Sequence, residues 1–181
     1  SRSLLRVDYA IAKVAALTTA LFVLTLLPQF VLFLGRAFAQ DDLVGYARDN
    51  WRDLPPIIAS GVLLCFFMAS IAIAIASQTK RRAFATGGVL AYFAISLAMA
   101  GILLATLGGD TGGWALLLSG FHIAQGFTLW IFNIEPSSSE TSSTYDLYQA
   151  GLSLWVYCVA ALVYLAVCLG IIYRRYQGIS A

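Results

Sequence analysis

Charge is what this chain has least of. Only 11% of its 181 residues are Asp, Glu, Lys or Arg, against about a quarter in an ordinary soluble domain. Histidine occurs once, at His122, and cysteine three times, at Cys65, Cys158 and Cys168. One histidine and three cysteines without ligand spacing leave no metal site that this chain builds alone. The cysteines all fall inside apolar runs, where a thiol acts as a small hydrophobe in a helix interface. No GxxxxGK[ST] phosphate loop, HExxH or Ser/His/Asp arrangement is present, which argues against nucleotide hydrolysis or hydrolytic chemistry by those routes. The net charge of +2 says little until it is divided between the two faces, and no nucleic-acid partner is expected. No stretch resembles a cleavable signal peptide.

What remains is apolar. Hydrophobic residues make up 60% of the chain, aromatics 13%, and the mean hydropathy is +0.83. These values mark a membrane protein of the all-α class. The most informative stretch is Ser77-Gln78-Thr79-Lys80-Arg81-Arg82-Ala83-Phe84-Ala85-Thr86, three adjacent cations between two apolar runs. Each run has about the 20 residues that cross a ~30 Å hydrocarbon core as a helix. Lys and Arg near span ends set orientation, so this turn is expected in the cytoplasm.

In chain order, the first expected span is about 12–35; Arg2, Arg6 and Asp8 precede it, Lys13 stands at its start ahead of the apolar run Val14 to Gly35, and it carries Pro28, a kink position. The segment from Arg36 to Leu54 is rich in charge. Its Leu43, Tyr46, Ala47 and Trp51 form the apolar face of a short amphipathic helix in the outer interface. Pro55-Pro56 then suits the first turn of a second span, 56–77. A third span is expected over 84–107, followed by the turn-forming run Gly108–Gly113. Ala72 and Ala76, and Gly101, Ala105 and Gly109, recur four apart, a spacing that lets helices approach closely. The last span is expected over 148–173 and ends at Arg174-Arg175.

The segment 113–134 is uncharged and long enough to cross, yet Ser119, Gly120, His122, Gln125 and Gly126 punctuate it. Charge distribution decides its path. If it does not cross, the inner face holds Arg2, Arg6, Lys13, Lys80, Arg81, Arg82, Arg174 and Arg175 against Asp8 alone. The outer face then holds Arg36, Arg48 and Arg52 against eight acids, among them Asp110, Glu135, Glu140 and Asp146. If it does cross, Arg174-Arg175 moves outside, against the cation rule. Four spans with both termini inside, plus a re-entrant or interfacial segment broken at Gly120 or Gly126, is therefore the expected topology. Ser119, His122 and Gln125 stand three apart, forming one polar stripe that either faces a pathway or bonds to neighbouring helices. No acid or base lies inside the spans, so any transport must draw its energy from a partner or from the solute's own gradient.

The order of these elements resembles the type-2 ABC transporter permeases. Arg6-Val7-Asp8-Tyr9, then Lys13, is similar to that family's "R-x-D/E-Y/F…GK" opening of a helix, with Ala12 in place of the usual glycine. Ser77 to Ala85 is similar to the family's "SSLTKRRAFA" turn, and Tyr173-Arg174-Arg175-Tyr176 to the end of its final helix. The resemblance implies that 1–181 is one permease domain, the last four helices of a longer subunit in a plasma (inner) membrane. It further implies an exporter with a second permease subunit and a separate ATPase subunit that carries ATP and Mg. No cofactor is expected in this chain. Lys80, Arg81 and Arg82 would lie near the ATPase or against membrane lipids. The competing expectation is a non-transporting membrane scaffold or assembly protein, whose outer helix and serine loop bind another protein.

Overall fold

A computed structural model of the protein describes residues 6–38, 54–79 and 81–177, and among these the chain is helical with no strand. The helices are α1 (Arg6–Phe38), α2 (Leu54–Ser77), α3 (Arg82–Leu107), α4 (Gly109–Trp114), α5 (Gly120–Phe132), α6 (Tyr145–Ala150) and α7 (Leu154–Gln177). The 3-10 turn Ala115–Leu118 links α4 to α5. Among the described residues, three helical stretches are long and apolar enough to cross a membrane: Pro55–Ser77, Ala83–Leu107 and Leu154–Arg175. At 1.5 Å per residue each is about 33–38 Å long, enough for a ~30 Å core.

The chain divides into two compact units, residues 1–69 and 70–181, so the boundary falls within α2. In the first unit, α1 runs for 33 residues and contains the whole uncharged stretch 14–35. Pro28 does not interrupt it. Thr25 returns its hydroxyl to the Leu21 carbonyl at 2.6 Å and meets Cys65 Sγ at 3.4 Å. The amphipathic helix expected from Leu43, Tyr46, Ala47 and Trp51 lies outside the described residues. Helix α2 starts at Leu54 with both prolines in its first turn, where a missing N–H costs nothing.

In the second unit, the end of α2 and the start of α3 pack where Gly88 faces Ile75. A Cβ at Gly88 would stand 3.2 Å from the Ile75 side chain. Arg81 is exposed and extended, and its carbonyl accepts from the Ala85 N–H at 3.1 Å as the first bond of α3. Lys80 and the side chain of Arg82 lie outside the described residues.

The run Gly108–Gly113 is more than a turn. After Gly108, the chain re-enters a helix at once. Its glycines let α4 press on its neighbours: a Cβ at Gly113 would stand 2.5 Å from the Ala150 carbonyl oxygen. The core formed here contains Ala100 and Leu104 of α3, Leu116 of the 3-10 turn, Leu147 and Ala150 of α6, and Tyr157 of α7.

The last apolar run differs from expectation. Instead of one helix over 148–173, it is divided into α6 and α7 by Gly151–Ser153. Gly151 has φ +63°, a left-handed conformation that glycine adopts without Cβ strain and that caps α6. Nor does the small-residue spacing on α3 serve packing among the described residues. Gly101 has open space where a Cβ would sit, and Ala105 is exposed. The outward faces of α3 and α7 are apolar, with Leu90 and Leu162 each 67% exposed, as surfaces turned to hydrocarbon require.

Candidate functional site: a sharply bent helix pair

The segment Thr111–Leu118 and helix α5 form an apolar pair bent by 102°. The bend lies at Ser119, whose backbone is extended (φ −94°, ψ 114°) between the 3-10 turn and α5. Its carbonyl accepts from the Ile123 N–H at 3.1 Å, so Ser119 begins α5 in the N-cap position. Its hydroxyl makes no capping bond. The other end of α5 closes at Asn133, which is left-handed (φ 51°), with Ile134 N–H donating back to the Leu129 carbonyl at 3.0 Å.

Two bonds from later helices hold the bent pair. Tyr164 of α7 donates its hydroxyl to the Leu118 carbonyl at 3.2 Å, satisfying a backbone acceptor freed by the bend. His122 Nε2 lies 3.2 Å from Asp146 Oδ2 at the start of α6. The imidazole is buried, while the carboxyl is about half exposed (45%).

Packing explains why α5 and α7 approach so closely. A Cβ at Gly126 would overlap the ring of Tyr157, so the absence of a side chain makes room for the tyrosine. Gly126 is thus a contact residue, and the break falls at Ser119–Gly120 instead. Gly120 itself is crowded, with the Ile71 side chain 3.3 Å and the Phe93 ring 3.5 Å from a Cβ built there.

The expected stripe of Ser119, His122 and Gln125 is directed inward. Ser119 and His122 are buried and Gln125 is half-buried. Only His122 gains a side-chain partner. Ser119 Oγ, His122 Nδ1 and Gln125 Oε1 are buried without a hydrogen bond, as is the Tyr157 hydroxyl. Each unsatisfied polar atom of this kind costs about 1–3 kcal/mol, and most are paired in native proteins. The Ser119 hydroxyl is not bonded to the imidazole. Among the described residues, no group of three or more His, Cys, Asp or Glu could hold a metal ion.

Asp146, Tyr157 and Tyr164 were not singled out in the sequence. Asp146 lies 24 residues from His122, within what reads as an acidic loop. The tyrosines merge into an aromatic-rich span. Compared with protein-family models, curated proteins and solved structures, the chain matches none.

Proposed function

We propose that the chain is part of the membrane-spanning permease subunit of an ATP-binding-cassette transporter, of the exporter type. A separate ATPase subunit drives it, and a second permease subunit completes the pathway. The observation that carries this reading is the bent pair with its uncommitted polar stripe. A bend beyond 90° turns α5 back from the direction of Thr111–Leu118, which supports a segment that enters the membrane and leaves on the same side. Trp114 and Trp130, near its two ends, are both exposed, as are Tyr148 and Trp155 nearby in sequence. Exposed aromatics of this kind favour the headgroup level. The bent pair would then close the outer mouth, and Ser119, His122 and Gln125 would exchange buried positions for a hydrated path when the subunits move.

The cationic turn is placed at the opposite, cytoplasmic end of the spans, and the membrane is the plasma (inner) membrane. Supporting this is the "SxTKRRAFA"-like text between two apolar helices. The test is co-purification with a candidate ATP-binding-cassette subunit encoded beside the gene. We expect a stable complex whose ATPase rate changes when the permease is present. Neither complex formation nor a rate change would overturn the reading.

The scaffold reading is supported by the serine loop, which is internally bonded. Ser137 N–H donates to Thr144 Oγ1 at 3.1 Å, and the Ser139 and Thr141 hydroxyls meet at 2.9 Å. An ordered polar loop suits a protein contact on the outer face.

A further inference from the structure

The groove between the ends of α2 and α7 adjoins the bent pair at Ile71 and Tyr92, which crowd Gly120, and at Tyr164, which bonds Leu118; the rest of its lining takes no part in the proposed outer gate. It has a volume of about 400 Å³, within the ~300–1,000 Å³ range of ligand sites and far above an ordinary packing void. One wall is Ile71, Ala74, Ile75 and Gln78, and the other includes Val167, Cys168 and Ile171. Tyr92 and Tyr164 close its deeper end. On each helix the lining residues recur at three- and four-residue steps, so each wall is a single helical face about 10 Å long.

Both faces lead to cations. Arg174 and Arg175 follow Ile171 at three and four residues, which puts them on the same face one turn further on. Arg81 follows Gln78 by three residues, just past the end of α2. Arg81, Arg174 and Arg175 are exposed, and among the described residues none is in an ion pair. The site therefore has a narrow apolar slot continuing into unpaired positive charge.

We propose that this groove binds an anionic phospholipid, with one acyl chain between α2 and α7 and the headgroup phosphate on Arg81, Arg174 and Arg175. This goes beyond the permease reading and does not depend on it. A surface cation contributes about fivefold to anionic-lipid affinity, so even two of the three arginines supply a preference on the order of tenfold or more.

Native mass spectrometry of the full chain, with phosphatidylglycerol and phosphatidylcholine offered in equal amounts, tests the proposal. We expect phosphatidylglycerol to be retained in preference by at least about tenfold. Arg81→Gln, Arg174→Gln and Arg175→Gln together should bring the two lipids level, and Val167→Trp, which fills the slot, should lower retention of both. Circular dichroism checks folding, and Ala74→Leu provides a second, smaller block read the same way. Equal retention by the unaltered chain would overturn the proposal, as would undiminished retention in a folded blocked variant. A two-chain species lost on Val167→Trp would also overturn it, by assigning the groove to a second copy.

Discussion

At the scale of single residues, His122 and Ser119 make a useful contrast. Both are buried on the same helix, but His122 has Asp146 at 3.2 Å and the Ser119 hydroxyl has nothing. Removing the partner of a buried group, here the imidazole, leaves that group unsatisfied, whereas removing an already unpaired group relieves a cost. Asp146→Ala should therefore destabilise the protein by about 1–3 kcal/mol, seen as a lower midpoint of thermal unfolding in detergent. Ser119→Ala should leave that midpoint unchanged or raise it. A comparable loss in both variants would mean that the serine hydroxyl is bonded after all. Transport assays add an independent reading. If the chain is part of a transporter, as proposed, and the stripe faces a path in another of its states, replacing Ser119, His122 and Gln125 with alanine lowers transport without lowering expression. Loss of folded protein instead would assign the stripe to packing.

At the scale of elements, the bent pair depends on close approach between α5 and α7. Gly126 has the Tyr157 ring where a methyl group would go, while Gly101 on α3 faces open space. Gly126→Ala should cost about 1–3 kcal/mol by overpacking. Gly101→Ala should be neutral or gain up to about 1 kcal/mol from helix propensity. Unfolding of the two variants side by side measures the difference, and equal effects would contradict the packing described. The same elements show what a linear reading can and cannot recover. The second and third spans, expected over 56–77 and 84–107, appear as Pro55–Ser77 and Ala83–Leu107. Uniform apolar text bounded by proline, cations and glycine leaves little choice of length. The division of the last run at Gly151 was not legible, because a lone glycine in apolar text is common inside membrane helices. It becomes decisive only through its positive φ. The choice of Ser119–Gly120 over Gly126 for the break depends on Tyr157, 31 residues beyond Gly126 in the chain, whose bulk no local pattern announces. His122 was legible as the sole histidine, but its partner was not, since a 24-residue separation carries no periodic signal.

At the scale of the molecule, fold class follows from composition. A chain with 60% hydrophobic and 11% charged residues has too little polar surface for a soluble domain, and its helices carry apolar residues on their outer faces. The path of the bent pair is the point on which the topology turns. If it returns to the side it entered, the cations of Arg174-Arg175 share a face with the turn at Lys80–Arg82, and the serine loop shares a face with Thr111. If it crosses, both pairings reverse. Cysteine labelling from each side of sealed vesicles decides this most directly. Thr79→Cys, Thr111→Cys and Ser139→Cys would be introduced singly after Cys65, Cys158 and Cys168 are replaced by serine. Labelling of positions 111 and 139 from one side, with 79 reached only from the other, is the expected result. Labelling of 111 and 139 from opposite sides would contradict the re-entrant path and the outer gate proposed from it.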